Sequence, residues 1–148
     1  MKARTKRTVG QSLVEFALVL PALLLIFMGI LDFGRAVFAY NSLSNAARDG
    51  ARVAIVDQST DVGGVPAGAT EAANQATGLG LDPSDINDVQ VSYLLPDLSG
   101  ACPSRALGCV AEVTVNYQYT AITPIIGSFI GPIDLSATSQ LRIEFTKP

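Results

Sequence analysis

Few side chains in this sequence are of the kinds that make or break bonds. Its 148 residues include two cysteines, Cys102 and Cys109, thirteen carboxylates, and no histidine or tryptophan. Without histidine the commonest general base and the commonest metal ligand are both missing. Serine, cysteine and zinc catalysis in their usual forms are therefore disfavoured, and no cofactor or metal is expected. The cysteines enclose Pro-Ser-Arg-Ala-Leu-Gly and do not form a Cys-x-x-Cys pair. Outside the cytoplasm two thiols this near in sequence are expected to join. So short a ring restrains the unfolded chain by about 2–3 kcal/mol. The acidic cluster Asp82, Asp85 and Asp88 lacks the Asp-x-Asp-x-Asp-Gly spacing of a calcium loop and reads as a polar turn. Gly78-Leu79-Gly80 is likewise read as a turn, being too short for a phosphate loop.

The elements that carry these residues follow from an uneven distribution of charge and apolar surface. Hydrophobic residues make up 49% and charged ones 16%, where a soluble domain averages roughly 25% charged. Four basic residues, Lys2, Arg4, Lys6 and Arg7, precede the first acid, Glu15, and the remaining Arg and Lys are scattered. That leaves no basic patch for nucleic acid. It does give a basic flank of the kind that orients a membrane segment, and residues 16–31, FALVLPALLLIFMGIL, are free of charge. Sixteen helical residues span roughly 24 Å, slightly less than a hydrocarbon core of about 30 Å. Adding residues 11–14 lengthens the span but places Glu15 inside it, at a cost of about 2.5–3.5 kcal/mol at mid-bilayer. Pro21 is expected to kink or loosen the helix.

Three readings of this start compete: an uncleaved signal anchor, a secretory signal cut after Ala39, or an early cut before the apolar run. Residues Phe33, Val37, Tyr40, Leu43 or Ser44, Ala47, Ala51 and Ala54 continue at spacings of three and four. One helix over about residues 12–56 is predicted, with Asp32–Arg35 and Asp49–Arg52 pairing on its outer face. A cut after Ala39 would sever that helix, which argues against the second reading.

Beyond residue 56 the texture changes. Residues 57–66 read as a loop, and residues 70–77 as a short helix capped by Thr70 and stopped at Gly78. Three stretches then alternate: Val89, Val91 and Tyr93; Val113, Val115, Tyr117 and Tyr119; Ile133, Leu135, Ala137, Leu141, Ile143 and Phe145. Period two with one polar side predicts an antiparallel sheet of about three strands with one covered face. The outer half of the long helix is the expected cover. The fold class is α+β, a long, partly transmembrane N-terminal helix on a small antiparallel sheet. Between the last two strands, residues 121–131 form a charge-free apolar stretch, read as a contact loop through Ile125, Ile126 and Phe129. It is expected to cap the sheet or to meet another subunit or lipid.

Gly10-Gln11-Ser12-Leu13-Val14-Glu15-Phe16, after the basic run, resembles a type IV prepilin processing site. Asn45-Ala46-Ala47-Arg48-Asp49-Gly50-Ala51-Arg52 resembles the helix of TadE-like and TadG-like pseudopilins of the tight-adherence (Flp-type) system. The likeness is strong over about residues 7–56 and holds elsewhere only in outline. It implies a pilin-like structural subunit or assembly factor, not an enzyme, cut between Gly10 and Gln11 by a prepilin peptidase. A glycine before the scissile bond suits a tight groove, because it carries no side chain. The resemblance implies that Glu15, with Phe16 beside it, meets the freed amine of a neighbouring subunit, which would neutralise a costly lone charge. An N-terminal Gln11, however, can be free, methylated or cyclised, and a cyclised end has no charge to offer. Ala47, Gly50 and Ala51 permit close approach, either of another helix or of this chain's own sheet.

Four segments are thus expected: a leader at 1–10, a transmembrane and assembly segment at 11–31, the outer half of the helix at 32–57, and an extracytoplasmic domain at 58–148. The implied partners are the peptidase, other pilin or pseudopilin subunits, the assembly platform and the cytoplasmic membrane. The alternative is a permanently anchored binding module with its leader retained.

Overall fold

The computed structural model describes residues 8–59, 64–103 and 105–144. The basic cluster at residues 2–7, the loop residues 60–63 and Phe145 lie outside them. Helix α1 (Thr8–Val56) is a single element of 49 residues that continues through Pro21. At 1.5 Å per residue it is about 74 Å long. Two shorter helices, α2 (Ala67–Gln75) and α3 (Pro124–Ile130), accompany three strands: β1 (Val89–Leu94), β2 (Val110–Tyr119) and β3 (Ile133–Arg142). The strands form one antiparallel sheet in the order β1-β2-β3. Its register sets Val91 and Ser139 on either side of Val113, and Val89 and Ala137 on either side of Val115. The architecture is α+β, as the alternating patterns predict.

The sheet's apolar face packs against the outer half of α1 and against α2. Leu43, Ala46, Ala47, Ala51 and Ala54 of α1 meet Ala69 and Ala72 of α2 and Ala111, Val113 and Val115 of β2. Alanine dominates the helical side, so backbones lie close and bulk comes from the valines of the sheet. The opposite face is a polar ladder. Ser92 and Gln140 both donate to the Glu112 carboxylate, and the hydroxyls of Thr114 and Thr138 lie 2.9 Å apart.

Four details depart from the sequence reading. The buried stripe of α1 runs Asp32, Ala39, Leu43, Ala46 and Ala47, Gly50 and Ala51, and Ala54, whereas Phe33, Val37 and Tyr40 are exposed. From Leu43 through Ala47, Ala51 and Ala54 the predicted stripe is the buried one, and only its start differs, Asp32 and Ala39 lying under the domain in place of Phe33, Val37 and Tyr40. Helix α2 starts three residues before the predicted Thr70, following Pro66 in extended conformation. The 121–131 stretch is not a loop throughout, since residues 124–130 form α3 with Pro124 in its first turn. Asp32 pairs with Arg35 as predicted, but it is buried beneath the domain and not on an outer face.

Candidate functional site

The N-terminal half of α1 stands clear of the rest of the chain: no residue between 11 and 28 is buried. Gly10, Gln11, Glu15 and Phe16 all lie on this stretch and are exposed. An added Cβ at Gly10 would meet nothing within 4 Å. Leu13, Phe16, Leu18, Val19, Leu23, Ile26, Phe27 and Ile30 present apolar surface around the helix. A helix apolar on all sides belongs in a core or a bilayer, and none of the described residues forms a core around this one. Over an 18-residue window its mean hydropathy is 2.5 with none of the window buried, which is long and apolar enough to cross a membrane.

The bare half ends at a clamp. The Asp32 carboxylate accepts hydrogen bonds from the backbone amides of Ile122 and Thr123, each at 3.1 Å. The Tyr119 hydroxyl donates to the Asp32 carbonyl at 2.8 Å. Arg35 lies 3.7 Å from Asp32, with its guanidinium over the Tyr119 ring at 5.7 Å from the centroid. Sequence reasoning placed Asp32 in an exposed pair. Its amide partners lie some ninety residues away, and a helical periodicity cannot point to them.

One turn before Asp32, Ile126 of α3 reaches α1, its Cδ1 lying 3.5 Å from where a Cβ on Gly29 would be. Ile126, Ile130 and Ile133 flank a shallow apolar groove with Gly29, Phe33 and Ala36. Of the predicted contact residues, Ile126 is half-buried against α1 and Phe129 is 87% exposed. The Ile125 side chain lies outside the described residues.

Ala47, Gly50 and Ala51 are brought together with α2 and β2 of the same chain. A Cβ on Gly50 would lie 2.7 Å from the Gly68 carbonyl oxygen and 2.8 Å from the Ala72 Cβ, and one on Gly68 would lie 2.8 Å from the Ala54 Cβ. Two glycines thus let α1 and α2 touch backbone to backbone. This face is occupied within the subunit.

Cys102 and Cys109 form a disulfide, packed with Ile143. Inside its ring Arg105 lies over Tyr93, 4.7 Å from the ring centroid, and donates to the Gln58 carbonyl at 2.7 Å. The bridged loop therefore holds down the chain leaving α1. In the acidic turn, Asp82 accepts from the Ser84 amide and hydroxyl, Asp85 accepts from the Asn87 amide and side chain, and Asp88 accepts from the Asp82 amide.

Membrane-compatible surface, the Asp32 clamp and the small-residue crossing thus follow one another along a single helix. Residues 10–52 match the family of TadE-like proteins. The match begins at Gly10 and ends at Arg52, so it takes in the bare half of α1, Asp32 and the crossing at Gly50. The sheet, α2, α3 and the disulfide lie outside the TadE-like segment. No curated protein and no solved structure matches the chain.

Proposed function

We propose that this chain is a TadE-like, pilus-associated membrane protein: a pilin-like structural subunit or assembly factor of a tight-adherence type IV pilus, and not an enzyme. The observation that carries this reading is the coincidence, within residues 10–52, of the family match with a helix half that its own domain leaves bare. An apolar helix with nothing of its own to cover it is built for lipid first and for other helices afterwards.

α1 anchors the chain in the cytoplasmic membrane, with the sheet domain on the extracytoplasmic side. The basic residues Lys2, Arg4, Lys6 and Arg7 favour a cytoplasmic start, and the Cys102–Cys109 bridge suits an oxidising compartment. A prepilin peptidase cuts after Gly10. Gln11 then becomes the N-terminus, and Glu15 offers its carboxylate to a neighbouring subunit's amine, with Phe16 packing beside it. Pairing at the membrane surface turns the cost of a lone charge into a preference for one stagger between subunits. Other pilus subunits and the assembly platform are the partners.

The test is a photo-crosslinking residue at Phe16 in cells that carry the pilus system. The reading predicts adducts with another pilus subunit, identified by mass, that decline in a Glu15→Ala background. Adducts with lipid alone in both backgrounds would overturn the assembly role.

A further inference from the structure

We propose that α3 is a second membrane-contacting element, which seats the sheet domain on the outer leaflet with Phe129 and Ile130 among the lipid chains beside α1. The inference rests on α1 spanning the bilayer and adds where the domain sits relative to it.

The argument is one of level. Glu15 and Asp32 bound the charge-free part of α1, and with sixteen residues between them they lie about 25 Å apart along the helix, against a hydrocarbon core of about 30 Å. The core must therefore reach to or past one of these carboxylates. Asp32 is the one equipped for it: it is 7% exposed, and its oxygens are taken by two backbone amides and by Arg35. Ile126 meets α1 at Gly29, one turn on the lipid side of Asp32. α3 thus shares its level with the last apolar turn of the span, which places its side chains at the headgroup boundary or inside it.

The composition of the patch fits that level. Residues 120–133 carry no charge, and Ile122, Phe129, Ile130 and Ile133 are all exposed. The patch is continuous with α1 through the groove that Ile130 and Ile133 share with Phe33. One turn above Asp32, about 4.5 Å further along the axis, Arg35 is half-exposed, at the height where a guanidinium meets lipid phosphate. Apolar side chains below and a cation above are the arrangement of an element lying in the interface.

The chain has no tryptophan, so single substitutions give unique fluorophores. Three variants of the full chain, Phe129→Trp, Leu24→Trp and Leu107→Trp, are placed in vesicles of phosphatidylcholine and phosphatidylglycerol. One set of vesicles carries phosphatidylcholine brominated near the glycerol end of its chains and another carries it brominated deeper, and each site is read with the set that quenches it more. All three sites are exposed. Leu107 lies beside the start of β2, about 30 Å along that strand from Tyr119. The proposal predicts Phe129→Trp quenching within about twofold of Leu24→Trp, with blue-shifted emission, and no quenching of Leu107→Trp. Phe129→Trp behaving like Leu107→Trp, while Leu24→Trp is quenched, would overturn the proposal and leave the span intact. Blue-shifted Phe129→Trp emission without lipid quenching would mean that a second copy covers the patch, which also overturns it. Failure of Leu24→Trp to quench would overturn the span itself, and the proposal with it.

Discussion

Asp32 and Thr123 stand 91 residues apart in sequence and 3.1 Å apart in space, the carboxylate of one accepting from the amide of the other. With the Ile122 amide and the Tyr119 hydroxyl, this contact ties the end of β2 and the start of α3 to the point where α1 leaves its bare half. The domain is thereby fixed in height and rotation on the helix that anchors it.

Replacing Asp32 with Asn keeps one acceptor oxygen but puts an NH2 group against the other backbone amide, which then lacks an acceptor. Asp32→Asn is expected to lower the thermal midpoint in detergent, whereas Asp49→Asn, which removes an exposed pair with Arg52, leaves it within error.

Gly50→Ala drives a Cβ into the Gly68 carbonyl and the Ala72 methyl. Overpacking of this kind costs about 1–3 kcal/mol, measurable by chemical denaturation. Gly34 also lies within α1, but an added Cβ there meets nothing within 4 Å. Gly34→Ala should therefore stabilise the protein by about 0.5–1 kcal/mol. Equal effects at the two positions would contradict the close crossing of α1 and α2.

Leu43 is fully buried while Phe33 is 71% exposed, although both satisfy the same helical spacing. Leu43→Ala should cost about 2–5 kcal/mol. Phe33→Ala should leave the unfolding midpoint of the domain unchanged.

Removing the disulfide with a Cys102→Ser, Cys109→Ser double variant should cost about 2–3 kcal/mol by the loop-entropy model. Arg105 reaches from inside the ring to Gln58. Hydrogen exchange should therefore rise in the segment after α1 as well as in the ring itself.

These contrasts mark where the sequence could be read and where it could not. Period two in Val113, Val115 and Tyr117, and a charge-free run ending at Leu31, were enough for the sheet, the long helix and the α+β class. The resemblance around Gly10, Glu15 and Asn45–Arg52 pointed to the same segment that the family match covers. The buried face of α1 was legible from Leu43 through Ala47, Ala51 and Ala54 but not before it, because Phe33, Val37 and Tyr40 continue the same period and only the sheet shows that Asp32 and Ala39 lie under the domain instead. Nor was α3: Pro124, Gly127 and Gly131 look like loop punctuation, yet Pro124 falls in a first turn and Gly131 just past the end. The Asp32 clamp joins residues too distant in sequence for any local pattern.

The central claim is that residues 10–52 make this chain a processed, pilus-associated membrane subunit. Mass spectrometry of the N-terminus of the protein isolated from membranes of cells that contain the matching peptidase tests it most directly. A chain beginning at Gln11, whether free, methylated or cyclised, is the predicted result, and its chemical form tells whether Glu15 has an amine to meet. An intact leader in the presence of the peptidase would contradict the account and leave a permanently anchored module. A start at Tyr40 would contradict it further, since α1 would then have been cut through its middle.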